Sequence, residues 1–132
     1  MNIKDESMDP IRRAEETITL IKKQGQGRIF LTMTQLRKFL VAVNRINNKV
    51  MVWQSQNPTA GELPAELVSE IKYLEVKLLY QCGRERNVKD FEQKTDLTKQ
   101  IRNIGNDKKK YEQFAKFMEA VVAFHKFEGG AN

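Results

Sequence analysis

Apolar residues recur along the chain at the three- and four-residue spacing of amphipathic helices, with polar breaks between the stretches. The clearest run lies in the second stretch, where seven apolar residues keep this spacing: Leu36, Phe39, Leu40, Val43, Ile46, Val50 and Trp53. No segment combines period-two alternation with turn chemistry, as strands require. The pattern therefore predicts an all-α fold, a compact bundle of about four to six helices.

Local start and stop signals place the helices. The first helix is predicted over about Pro10–Gln24, with proline in its first turn and Gly25 after its end. The second helix starts near Thr32, which forms a capping-box pattern with Gln35. Three further predictions complete the set: a third helix opening at Pro64 and interrupted or ended at Gly83, a fourth region over about Val88–Ile104 that can break near Thr95 and is closed by Gly105, and a last helix from after Asn106 to about Phe127.

The length of 132 residues suits one helical domain, with residues 1–9 expected as a mobile tail and residues 10–130 as the bundle. The chain has no apolar run near the ~20 residues that span a bilayer, and Met1–Pro10 lacks a secretory signal. Its single cysteine, Cys82, excludes an internal disulfide. These observations predict a cytoplasmic protein with no membrane partner.

Residues that could carry out catalysis are few. The chain holds one histidine, one cysteine and three serines, and no enzyme motif surrounds them. His125 falls on the apolar face of the last predicted helix, which favours a core histidine with one satisfied nitrogen over a nucleophilic pair with Cys82. Metal-ligand spacing is absent, and Gly25-Gln26-Gly27 lacks the third glycine of a phosphate loop. We therefore expect no catalytic residue, metal, cofactor or small-molecule substrate.

Positive charge is concentrated in one part of the chain. Net charge is +6, and the stretch Thr17–Gly61 contains seven basic residues and no acidic one. The rest of the chain carries 16 basic and 17 acidic residues, so the whole positive excess lies in one third of the protein. This concentration favours a phosphate-rich partner.

A helical wheel of the second helix, with Leu36 at 0°, places its apolar residues within about 260° to 60°. On this wheel Lys38, Arg45 and Lys49 lie at about 180° to 220° and form one basic ridge, expected opposite the core, with Arg37 at its flank. No carboxylate on this helix neutralises the ridge. Solvated faces usually mix both charges, so the ridge favours phosphate binding, with a plain solvated face as the alternative.

Cations outside the ridge form two further candidate sets. On the third predicted helix, three polar side chains align at i, i+4 and i+7: Lys77, Gln81 and Arg84. They could contact phosphates, or the two cations could pair with nearby carboxylates: Glu70, Glu75 or Glu85. A second tier of cations is proposed for nucleic-acid binding: Arg86, Lys108, Lys109 and Lys110. For the three lysines, a solvated charge run is the alternative.

Most Phe and Tyr residues fall on predicted core faces, and no interleaved basic-aromatic motif of the RNA-recognition type is present. Base stacking is therefore not expected to be the main mode of binding, which leaves contact with the phosphate backbone. Val41 and Val52 interrupt the outer surface of the second helix. They are either incidental or a contact with a neighbouring subunit.

Five segments, taken in order, match one known pattern: Leu63–Leu67, Ile71–Glu85, Val88–Phe91, Ile104–Lys109, and Phe117–Phe127 before Gly129-Gly130. In order and spacing they resemble the small helical subunit of the type III-A CRISPR effector, the Csm complex. The resemblance spans roughly Thr32 to Gly130, and its motifs are structural rather than catalytic.

The resemblance implies a helical bundle present in more than one copy per complex, lining the channel that holds the guide RNA and its paired target RNA. Target cleavage and cyclic oligoadenylate synthesis belong to other subunits of this family. Guide–target pairing reads the sequence, so backbone contacts suffice for the protein. The leading hypothesis is therefore a non-catalytic RNA-binding subunit of a ribonucleoprotein complex for antiviral defence.

Two other hypotheses come from different classes of protein. The chain could be a pure protein scaffold, whose basic face meets an acidic partner subunit rather than RNA. A DNA-binding regulator is weaker, because no short turn positions a recognition helix.

Overall fold

The computed structural model describes residues 3–132, and within them the chain forms six helices. Their bounds are α1 Pro10–Gln24, α2 Met33–Gln56, α3 Ala65–Arg84, α4 Arg86–Thr95, α5 Leu97–Ile104 and α6 Lys108–Phe127. In this part of the chain, β-type pairing is confined to an isolated bridge between Glu62 and Asp107. The predicted all-α bundle is confirmed. None of the helices in residues 3–132 has the length and apolar character needed to cross a membrane.

Helix starts follow the capping signals of the sequence. The Thr32 hydroxyl accepts a hydrogen bond from the Gln35 N–H at 3.0 Å, and the Gln35 side chain accepts one from the Thr32 N–H at 2.9 Å. This is the predicted capping box at the start of α2. Helix α3 begins at Ala65, one residue later than predicted, because Pro64 has extended backbone and serves as the cap.

The predicted fourth region divides into α4 and α5 at Asp96, whose φ of 54° is left-handed. This division confirms the break expected near Thr95. Gly105 also has a φ of 54° and ends α5 as predicted. Helix α3 passes through Gly83 and ends one residue later, at Arg84.

The core is shared by all six helices. Helix α1 packs along α6 in the most extensive helix–helix contact, and α3 contacts α2, α4 and α5. Most residues of the predicted apolar faces are buried, and the largest fully buried apolar side chains are Ile18, Val43, Ile71, Leu74, Leu78, Leu97, Ile104, Tyr111, Phe117, Met118 and Val121. Burial of this apolar surface is the main favourable contribution to folding.

The segment before α1 lies against the bundle. Ile3 is buried, and its carbonyl accepts a hydrogen bond from Arg13 Nε at 3.0 Å. Glu6 accepts a hydrogen bond from the Asn103 side chain of α5 at 2.7 Å. Of the tail predicted over residues 1–9, residues 1 and 2 lie outside the described residues.

Residues 128–132, which we name the carboxy-terminal strap, fold back over the start of α2. The Met33 N–H donates to the Ala131 carbonyl at 2.8 Å, and the Thr34 hydroxyl donates to the Asn132 carbonyl at 2.6 Å. The Gly130 N–H donates to the His125 carbonyl at 2.8 Å. The strap therefore supplies acceptors to first-turn groups of α2 that have no partner within the helix.

Candidate nucleic-acid interface

An open groove, the α2–α3 groove, runs between these two helices. It consists of two adjoining cavities of about 370 and 360 Å³ that share Tyr73 and Lys77. Charged and aromatic side chains from both helices line it: Lys38, Phe39 and Arg45 from α2, Glu70, Tyr73, Lys77, Tyr80 and Arg84 from α3, and Glu85 just after α3. The groove therefore brings together four of the predicted site residues, Lys38, Arg45, Lys77 and Arg84.

The basic ridge of α2 lies on the flank that faces α3. Lys38 forms an ion pair with Glu85, and Lys49 forms one with Glu70 at 2.6 Å. No carboxylate lies on α2 itself, as expected, but carboxylates of α3 and of the residue after it pair with two of the three ridge cations. These lysines are ion-paired because α3 packs beside this flank and brings carboxylates that a helical wheel of α2 alone does not contain. Arg45 is exposed and forms no ion pair among residues 3–132.

Glu85 is held between two partners. The hydrogen bond from Lys38 is the main cause that lowers the pKa of Glu85, and a hydrogen bond from Gln81 adds to it. Gln81 is buried and donates to the Gln35 carbonyl at 2.7 Å and to Glu85 at 3.2 Å. Gln81 thus fastens α3 to α2, and its amide donors are already engaged there rather than facing a phosphate.

The cations of α3, Lys77 and Arg84, pair with none of the carboxylates considered from the sequence. Those carboxylates have other partners: Glu70 pairs with Lys49, Glu75 with Arg102 and Glu85 with Lys38. Lys77 Nζ lies 5.5 Å from the centroid of the Tyr73 ring, and Arg84 Cζ lies 5.8 Å from that of Tyr80. Both cations are exposed at the groove.

Tyr73 and Tyr80 are the groove residues that sequence reasoning missed. Most aromatic residues are buried or half-buried as predicted, but these two are 58% and 67% exposed. A wheel of α3 with Leu67 at 0° places both tyrosines, together with Lys77 and Arg84, at about 220° to 280°. That flank, where aromatic and basic residues alternate, is the signal that could have found them.

Two other predicted cations, Arg37 and Arg86, do not line the groove. Arg37 is exposed on α2, and Arg86 is the exposed first residue of α4. Val41 and Val52 are each 61% exposed on α2, so they leave an apolar surface beside the basic one.

The lysines at the start of α6 are arranged around Asp107. The Asp107 carboxylate accepts hydrogen bonds from the backbone N–H groups of Lys109 at 2.9 Å and Lys110 at 3.3 Å. Lys108 forms an ion pair with Glu112 at 4.0 Å, and the side chains of Lys109 and Lys110 are exposed. The first turn of α6 therefore has its own capping anion.

His125 and Cys82 lie on the inner faces of their helices. His125 is fully buried with Nε2 2.6 Å from the Leu31 carbonyl oxygen, and within residues 3–132 its Nδ1 has no partner. This geometry confirms a core histidine with one satisfied nitrogen. Burial raises the pKa of the Cys82 thiol to about 11, which keeps the nucleophilic thiolate scarce near neutral pH. In the described part of the chain, no three His, Cys, Asp or Glu side chains are grouped to hold a metal ion.

Known proteins are similar in sequence to most of this chain. The family model Csm2 Type III-A matches residues 6–131. A Streptococcus thermophilus protein described as CRISPR system Cms protein Csm2 is 32% identical over 120 residues, 91% of each chain. Proteins of the same description from Mycobacterium tuberculosis and Enterococcus italicus are 34% identical over 119 residues, 90% of each chain, and 35% identical over 99 residues, 74% of this chain and 67% of the relative.

Proposed function

The chain belongs to the Csm2 family of type III-A CRISPR systems, and on this premise we propose that it is a non-catalytic small subunit that binds RNA through the α2–α3 groove. The groove contacts the backbone of the guide RNA–target RNA duplex in a cytoplasmic effector complex. That complex contains other subunits and further copies of this chain. Pairing between the two RNA strands reads the target, so backbone contacts by the protein suffice.

One observation carries the proposal: three exposed cations without ion pairs among residues 3–132, Arg45, Lys77 and Arg84, line a single groove. Cations that meet phosphates release condensed counterions, which is the main source of sequence-independent affinity. Lys38 and Lys49 add positive charge, but each must leave its carboxylate before it contacts a phosphate. The cations without ion pairs are therefore expected to supply most of the affinity.

Support for a non-catalytic role comes from the two residues with the best catalytic chemistry. His125 is fully buried and bound to a backbone carbonyl. The Cys82 thiol has its pKa raised to about 11. In the proposal both residues serve packing.

Replacing Arg45, Lys77 and Arg84 together by glutamine tests the proposal. Binding of a labelled RNA duplex is measured for the full chain and for the assembled complex, across about 50 to 200 mM salt. Loss of three phosphate contacts should lower the slope of log affinity against log salt by about 2 to 3 units.

The matched control removes the same charge elsewhere on the surface, from exposed lysines of α5 and α6: Lys99, Lys116 and Lys126, each replaced by glutamine. Its slope should stay close to that of the wild type. An unchanged slope in the groove variant, or an equal drop in the control, contradicts RNA binding at this groove.

A protein scaffold is the second candidate, favoured by apolar side chains beside the groove. Val76 and Leu79 of α3 are 53% and 47% exposed. In that function the groove meets an acidic subunit, and RNA is held elsewhere. Crosslinking within the complex separates the two: crosslinks from RNA to this chain support RNA binding, whereas crosslinks to an acidic subunit alone support the scaffold.

A further inference from the structure

A tyrosine–cation unit occurs twice along α3. Tyr73 with Lys77, and Tyr80 with Arg84, repeat at a spacing of seven residues. The units are therefore about two helical turns, or about 10.5 Å, apart on one face. Both rings are exposed at the groove, so neither contributes much to the core. Their recurrence together with cations indicates a binding role.

We propose that Tyr73 and Tyr80 stack on unpaired nucleobases of the bound RNA, while Lys77 and Arg84 contact the phosphates between them. This inference rests on the proposed function and extends it, because it adds base contacts to backbone contacts. Stacking accepts any base, since every base has a π face. A strand with splayed bases spans the separation of about 10.5 Å in at most about three nucleotides, since even stacked nucleotides rise about 3.4 Å each.

Contacts with the two cations fix the positions of the tyrosine rings before a base binds. Lys77 Nζ lies 5.5 Å from the Tyr73 centroid, Arg84 Cζ lies 5.8 Å from that of Tyr80, and Arg84 donates to the Tyr80 hydroxyl at 3.4 Å. These contacts restrict the rotamers of both partners, so less conformational freedom is lost on binding. Each ring is more than half exposed, so a base can reach it beside the cation.

Among residues 3–132, cations without ion pairs lie on both walls of the groove, whereas its exposed aromatic rings lie on the α3 wall. On the α2 wall, Lys38 is bound to Glu85, and Arg45 is exposed and forms no ion pair among residues 3–132. On the α3 wall, Lys77 and Arg84 lie near the rings of Tyr73 and Tyr80 and form no ion pair among residues 3–132. A strand whose phosphates contact Lys77 and Arg84 brings its bases to the tyrosine rings on the same wall, and Arg45 across the groove can contact a further phosphate.

Pairing determines which nucleotides can occupy these positions. In a continuous duplex each base face is covered by its neighbours in the stack. A tyrosine can reach a base face where the nucleotide is unpaired or displaced, as in the single-stranded segments that aromatic residues bind in other RNA-binding proteins. The inference thus predicts a preference for strands with exposed bases.

The experiment compares three probes of about 12 nucleotides. These are an unstructured RNA, an abasic ribose-phosphate strand of equal length, and the same RNA paired with its complement. The double variant Tyr73→Ala/Tyr80→Ala is measured beside Tyr73→Phe/Tyr80→Phe, which keeps both rings. Phe127→Ala is the matched control, since Phe127 is 83% exposed and lies at the end of α6. Affinities are measured for the full chain and for the assembled complex.

We expect the alanine variant to lose at least about tenfold in affinity for the unstructured RNA. Its affinity for the abasic strand and the duplex should stay within about twofold of the wild type, and its salt slope should be unchanged, since no charge is lost. The phenylalanine variant and Phe127→Ala should bind all three probes as the wild type does. Bromouridine in the unstructured RNA should crosslink to Tyr73 and Tyr80.

Four results overturn the inference. Equal losses on the abasic strand, or a phenylalanine variant as weak as the alanine one, exclude stacking and leave the proposed function standing. Unchanged RNA binding with lost assembly of the complex assigns the tyrosines to a protein contact. A wild type that binds no probe, alone or in the complex, overturns the proposed function as well.

Discussion

The α1–α6 side of the bundle and the α2–α3 groove use their cations in opposite ways. On the α1–α6 side, Arg13 is only 3% exposed, and its guanidinium lies 4.7 Å from the centroid of the Phe117 ring. In the groove, Lys77 and Arg84 are exposed and lie over exposed rings. The same kind of cation–aromatic contact is structural in one place and accessible in the other. The packing around each contact determines whether it is buried or accessible. Counting charges along the sequence does not reveal this packing.

Burial has a cost that appears on Arg13. Desolvation lowers the pKa of its guanidinium, and the nearby carboxylates of Glu6 and Asp5 partly offset this effect. One of its nitrogens is buried and has no hydrogen-bond partner within residues 3–132. The packing of α1 on α6 therefore leaves the buried Arg13 guanidinium with incomplete hydrogen bonding among residues 3–132. Replacements on this side should act on stability, and replacements in the groove should act on binding.

The largest expected effect lies at the centre of the α1–α6 contact. Phe117→Ala removes a fully buried ring and the surface that carries Arg13. The free energy of unfolding should fall by about 3–5 kcal/mol. Urea unfolding followed by circular dichroism measures it. Phe127→Ala, at an 83% exposed ring, should change the same quantity by less than about 0.5 kcal/mol. Similar losses from both variants would show that burial of the ring does not determine its contribution to stability.

Two glycines give the next test. A Cβ at Gly130 in the strap would overlap the buried His125 ring, so Gly130→Ala should destabilise the chain by about 1–3 kcal/mol. Gly83 lies within α3 with open space around it. Gly83→Ala should stabilise by about 0.5–1 kcal/mol, because alanine favours the helix. Thermal melting checks both signs, and a neutral Gly130→Ala would show that the strap is not held against His125.

Ion pairing should distinguish the contribution of the α2 lysines to RNA binding from that of the α3 cations. Lys77→Gln/Arg84→Gln should lower the salt slope of RNA binding by about 1.5 units, because neither cation has to leave an ion pair among residues 3–132. Lys38→Gln/Lys49→Gln removes the same charge but should lower the slope less, since those lysines are bound to carboxylates. Anisotropy titrations at several salt concentrations compare the pairs. Equal changes would mean that the ion pairs do not limit binding.

Removing the carboxylates should have the reverse and smaller effect. Glu70→Gln/Glu85→Gln frees Lys49 and Lys38 for phosphate contact. RNA affinity should rise by up to about fivefold per pair, because exposed ion pairs are worth about 0.2–1 kcal/mol. The same titrations measure the gain. Weaker binding by this variant would indicate that the carboxylates themselves contact the ligand.

The smallest effect concerns acid pH. The hydrogen bond from Lys38 lowers the pKa of Glu85 in the folded state. The stability that this carboxylate contributes is therefore fully present above its unfolded pKa of about 4.3 and is lost as pH falls through the lowered folded pKa. Glu85→Gln should be slightly less stable than the wild type at pH 7 and indistinguishable from it in strong acid. Urea unfolding across this range checks the trend, which a pH-independent difference would contradict.

The helices could be predicted because their signals are local. The capping box of Thr32 with Gln35 and the left-handed end at Gly105 each involve neighbouring residues. The strap could not be predicted, since Thr34 and Asn132 are 98 positions apart and no pattern joins them. Likewise, α3 begins one residue later than predicted because the backbone of Pro64 is extended.

The sequence allowed several groove residues to be predicted, but not which of their charges are neutralised by ion pairs. Lys38, Arg45, Lys77 and Arg84 were all named from the sequence, and the structure brings them to one groove. Which of them are neutralised depends on how two helices pack side by side. A helical wheel of α2 alone does not include Glu70 and Glu85, the carboxylates that pair with its lysines.

The strap also affects the order in which the chain folds. Its bonds to the start of α2 close a loop of nearly a hundred residues, with 98 positions between Thr34 and Asn132. The entropy cost of such closure grows with the logarithm of loop length, and non-local contacts form slowly. During synthesis on the ribosome, α2 is made long before residues 131 and 132, so its first N–H groups must bond water in the meantime. One wall of the groove therefore receives its final hydrogen bonds only after residues 131 and 132 have been translated.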